Sequence, residues 1–115
     1  MNREEAVSWE SEFGKAYKVP KAVTDLVRSG FFIDSSWHND ASPSFAARIN
    51  ASQYVALWVE HPQPDLREMG DARFLVATYS DTHSQSLVPD FATDSVKRAI
   101  AEARWRVARG PVAEE

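Results

Sequence analysis

The chain contains no cysteine, its four glycines stand singly, and its longest strongly apolar stretch is the six residues 54–59. The lack of cysteine excludes disulfides and thiolate metal sites. Isolated glycines at Gly14, Gly30, Gly70 and Gly110 form no phosphate-cradling loop. A stretch of six residues is far short of the ~20 a membrane-spanning helix requires. Residues 2–12 carry Arg3, Glu4, Glu5, Glu10 and Glu12 where a secretory signal needs an apolar run, so the cytoplasm is the expected compartment.

What is present fits an ordinary globular chain. With 115 residues, 43% hydrophobic and 26% charged, it has the size and balance of one self-sufficient domain spanning 1–115. Arginine-rich, alanine-rich composition suggests a bacterial source. The net charge of -4 disfavours bulk affinity for nucleic acid, but it is unevenly spread. Residues 97–109 hold five cations (Lys97, Arg98, Arg104, Arg106, Arg109) against Glu102, a local +4 that leaves -8 on the remainder.

Residues 3–17 place Ala6, Val7, Phe13 and Tyr17 at loose helical spacing, a helix frayed by Gly14. Residues 20–28 predict a firmer one, with Pro20 at its start, Val23, Leu26 and Val27 as its stripe, and Gly30 to stop it. From Phe31 the period becomes two. Strands are predicted over 31–37, 45–50, 53–60 and 73–79, the third being the most β-branched and aromatic. Turn-formers at 38–43 close the first hairpin, and residues 50–52 make the second tight connection. Pro62 and Pro64 keep 61–72 out of the sheet, and residues 80–89 read as polar loop. The last helix is predicted from an N-cap at Asp90 or Thr93 to Arg109, ended by Gly110-Pro111, with 110–115 as a tail. Val96, Ala99, Ile100, Ala103 and Val107 share its buried arc.

The expected fold is α+β: a four-stranded antiparallel meander flanked by N-terminal helices and a long C-terminal helix, in the order α-α-β-β-β-β-α. With one strand added, this topology resembles the α-β-β-β-α order of double-stranded-RNA-binding domains. A lysine cluster opens the last helix in that family, and Lys97-Arg98 occupies the place here.

The two central strands are apolar on both faces. Val55, Leu57, Val59, Phe74 and Val76 form one face; Tyr54, Ala56, Trp58, Leu75, Ala77 and Tyr79 form the other. A wet sheet face should be polar. Either Trp9 and Phe13 cover the second face, or it is a contact surface centred on Tyr54, Trp58, Leu75 and Tyr79. Trp105 lies opposite its helix's core stripe, near Arg98 and Arg109. It packs on the N-terminal segment, or the three form a hot spot for an acidic protein or a phosphate backbone.

Catalytic signals are sparse. His38-Asn39-Asp40, His61 with Asp65, and Asp81-Thr82-His83 offer loop histidines and carboxylates for a metal site, without a ligand-spacing signature. Ser80, Ser84 and Ser86 sit in no nucleophile-elbow pattern. Leu66 and Met69 in the long loop are candidates for an exposed docking tip. No catalytic residue, cofactor or metal ligand is assigned. The leading expectation is a small non-enzymatic protein-interaction or dimerisation module, a variant being an accessory or inhibitor protein like those that phages encode. The alternatives are a nucleic-acid-binding module using the basic helix, and a small metal-dependent enzyme using His38, His61 and His83.

Overall fold

The computed structural model describes residues 9–36, 42–82 and 85–114. Five strands form one antiparallel sheet in chain order: β1 (Ile33–Asp34), β2 (Ser44–Arg48), β3 (Gln53–Val59), β4 (Phe74–Ser80) and β5 (Phe91–Thr93). Its helices are α1 (Trp9–Phe13), α2 (Lys21–Arg28) and α3 (Val96–Arg109), with short 3-10 turns at Lys15–Tyr17 and Pro64–Leu66. The α+β class, the antiparallel meander and the C-terminal helix are as expected; the strand count and the N-terminal helices are not.

The fifth strand is the main correction. Phe91 pairs with Val76 and Thr93 with Phe74, where a helix cap was expected. Asp94-Ser95 then turns the chain, and Ser95 is the cap: its hydroxyl accepts from the Arg98 backbone N–H at 3.1 Å. A three-residue strand hemmed by Pro89-Asp90 and Asp94-Ser95 leaves too short an alternation to separate from capping chemistry.

Of the two expected N-terminal helices only α2, with eight residues, has the expected length; α1 is little more than a single turn of five residues. Pro20 stands outside α2 as its extended N-cap residue, and Gly30 takes the left-handed φ of 92° that ends it. β1 keeps two paired residues, although the Ser35 N–H donating to Ser44 at 2.9 Å carries the alignment slightly further.

Register sorts the side chains. On one face Leu57 lies between Phe45 and Val76, Ala47 lies beside Val55, and Val59 beside Phe74. Ala99 and Ala103 of α3, Val23 of α2 and Phe32 join this layer, all 3% exposed or less. At roughly 25 cal/mol per Å² of apolar surface removed from water, this layer is the main stabilising element. The three helices and the core therefore occupy the same side of the sheet.

Candidate functional site

The opposite face is built in three rows across the strands. Arg48, Tyr54 and Tyr79 form the first, Ile33, Ala46, Ala56 and Ala77 the second, and Ser44, Trp58, Leu75 and Ala92 the third. The Trp58 indole N–H donates to the Tyr79 hydroxyl at 3.3 Å, a diagonal reach from third row to first. That reach carries the indole over Ala56 and Ala77, which are 3% and 0% exposed although no described helix lies on this side. Alanine is required there because a larger side chain would lift the ring. Tyr54 and Tyr79 meet with centroids 5.6 Å apart, and the Arg48 guanidinium sits 5.2 Å from the Tyr54 centroid. Arg48 also pairs with Asp81 at 3.2 Å.

The candidate residues Tyr54, Trp58, Leu75 and Tyr79 are thus brought together, half-buried, in one continuous patch. Trp9 does not cover them. Its backbone N–H donates to the Asp34 carboxylate at 2.9 Å and its side chain packs against the helical-side core. Phe13 meets Tyr17 edge to face with centroids 5.4 Å apart, and Tyr17 meets His61 likewise at 5.1 Å, beyond the end of β3. Sequence reasoning missed Ile33, which is 65% exposed at the edge of the alanine row. Its signal was the hairpin register, which residue alternation alone does not supply.

A second surface lies on α3. Trp105 is 57% exposed, and Arg109 covers its ring at 5.5 Å. Arg98 stacks instead on Phe91 of the newly found β5, 6.0 Å from the centroid. Phe91, Arg98, Ala101, Glu102 and Trp105 line a shallow groove of about 410 Å³. Arg106 is no part of it. That guanidinium is buried, donating to Glu102 at 2.8 Å, the Thr78 hydroxyl at 3.0 Å and the Pro89 carbonyl at 2.9 Å.

The long loop after β3 is braced rather than free. Arg67 donates to the carbonyls of His61, Pro62 and Asp71, and Arg73 to those of Glu60 and Tyr17. Burial, and next the Arg67 charge, lower the Arg73 pKa from its ordinary value. Glu60 is buried; one carboxylate oxygen accepts from the N–H groups of Glu68 and Met69, and the other has no hydrogen-bond partner among the described residues. Burial, with the Glu60 and Glu68 charges behind it, raises the Tyr17 phenol. Leu66 is exposed as expected, but Met69 is half-buried, with the Ser42 hydroxyl 3.5 Å from its sulfur.

His38 and His83 lie outside the described residues, as does Trp37. His61 accepts the Gln63 N–H at Nδ1, 3.1 Å away. Among the described residues no group of three His, Cys, Asp or Glu side chains could hold a metal ion, and no helix is long and apolar enough to cross a membrane. The chain matches no protein-family model, and neither curated proteins nor solved structures give a significant match.

Proposed function

We propose that the chain is a small non-enzymatic interaction module whose contact surface is the helix-free face of the sheet, and that the occupant is a second copy of the chain. One observation carries this reading: an apolar layer of three aromatic rings, Tyr54, Trp58 and Tyr79, with Leu75, that no described helix covers, bordered by the exposed Ile33. Interface centres are enriched in aromatics and depleted of charge, and this face has that composition.

The choice of a second copy rests on charge. The chain carries -4 overall, so like copies repel unless the surfaces that meet are neutral. The centre of this face has no ionisable carboxylate or cation, and its rim charges Arg48 and Asp81 neutralise each other within one molecule. Such a surface meets its own copy with no like charges opposed at the centre of the contact. A two-fold arrangement then brings the same rings together from both sides.

Light scattering over a range of protein concentrations tests the proposal. The expected mass is that of a dimer, and a monomer at the highest concentration overturns it. The nucleic-acid alternative loses support from Arg106, whose guanidinium is committed to Glu102, Thr78 and Pro89.

A further inference from the structure

Four of the five cations in residues 97–109 make no ion pair among the described residues: Lys97, Arg98, Arg104 and Arg109. The exception is the buried Arg106. Arg98, Arg104 and Arg109 lie instead over the rings of Phe91, Phe31 and Trp105, at 6.0, 5.0 and 5.5 Å. An aromatic ring holds a guanidinium in place without neutralising it. The result is a set of positioned, uncompensated cations on the solvent arc of one helix, in a chain whose remaining residues are strongly acidic.

Between two of these cations lies an apolar slot. Residues 98, 105 and 109 fall within one 40° arc at ~100° per residue, so Arg98 and Arg109 flank Trp105 along the helix. The groove of about 410 Å³ runs from Trp105 past Ala101 to Phe91. It is shallow and open to solvent, with the two rings as its exposed apolar floor. Arg98 in the lining and Arg109 over the Trp105 ring place two cations beside two aromatic rings, which favours a ligand that is anionic and apolar together.

We propose that this groove is a second binding surface, distinct from the sheet face, and that it takes an acidic peptide segment. An aromatic or aliphatic side chain of the segment enters the slot between Phe91 and Trp105, and flanking carboxylates pair with Arg98 and Arg109. A nucleic-acid strand fits less well. The groove offers two rings and a single lining cation, Arg98, too short a platform for the run of stacked bases and phosphates that a strand presents.

Fluorescence anisotropy with three labelled probes tests this: a short Asp/Glu peptide carrying one Phe and one Leu, the same peptide with both replaced by Ser, and an oligothymidylate. The first peptide is expected to bind at least about tenfold more tightly than the second, and to weaken as salt is raised. Trp105→Ala, and separately Arg98→Glu with Arg109→Glu, should each abolish the difference. Circular dichroism checks that the variants fold, as these side chains lie outside the core. Absence of binding, equal binding of the two peptides, tighter binding of the oligonucleotide, or indifference to these substitutions would each overturn the proposal. None of the substitutions touches the sheet face, so dimer mass reports on that face separately.

Discussion

The Trp58 indole N–H and the Tyr79 hydroxyl, 3.3 Å apart, tie neighbouring central strands together on the side of the sheet away from the helices. The bond closes a largely aromatic layer over two alanines and gives the indole N–H its acceptor. Tyr79→Phe should cost about 0.5–1.5 kcal/mol, the net worth of one hydrogen bond. Trp58→Ala removes the whole cover and should cost more, approaching ~3 kcal/mol. Urea titration of the two variants gives the ranking, and a reversed order contradicts this reading of the layer.

Enlarging Ala77 probes the same layer from beneath. Ala77→Leu puts bulk where the indole lies, at a position with no exposed surface, and should destabilise by about 1–3 kcal/mol. A neutral result would show that the indole does not rest there.

Arg106 is a structural cation. Its guanidinium is buried between α3 and the sheet and satisfies Thr78 and Pro89 as well as Glu102. Arg106→Ala leaves those groups unpaired and should cost about 3–5 kcal/mol. Arg106→Lys cannot reproduce the fork and should recover only part of that loss. Thermal unfolding of the two variants decides the matter, full recovery by lysine being the contrary outcome.

Tyr17 gives the chain an alkaline limit. Its phenol is raised above the ordinary 10.0, by burial first and then by Glu60 and Glu68. The folded state therefore holds this proton more tightly than the unfolded one. The stability it contributes is present below pH 10 and falls as pH rises through that value toward the folded pKa. Tyr17→Phe should flatten that decline. Denaturant midpoints measured across the alkaline range test the sign, and an unchanged slope in the variant counts against it.

Sequence periodicity located the central strands and α3 because each runs long enough for its alternation or helical stripe to repeat. It identified Tyr54, Trp58, Leu75 and Tyr79 as one face for the same reason. The destination of Trp9 was not legible, because docking a short helix depends on long-range contacts, here a bond to Asp34 and packing on the core, that no local pattern encodes. Nor was β5, whose three residues carry less signal than the caps beside them. Arg98 was placed near Trp105 by helical geometry alone; its stacking partner Phe91 became visible only with that strand. Arg106 looked like its neighbours in a basic run. Only packing separates the buried guanidinium from the exposed ones.

The central claim is that two copies meet through the face bordered by Ile33 and Ala92, both exposed at opposite ends of it. Sedimentation equilibrium of the wild type beside the double variant Ile33→Arg, Ala92→Arg tests it most directly. The prediction is a dimer for the wild type and a folded monomer for the variant. A wild-type monomer, or a dimer that survives both arginines, would contradict it.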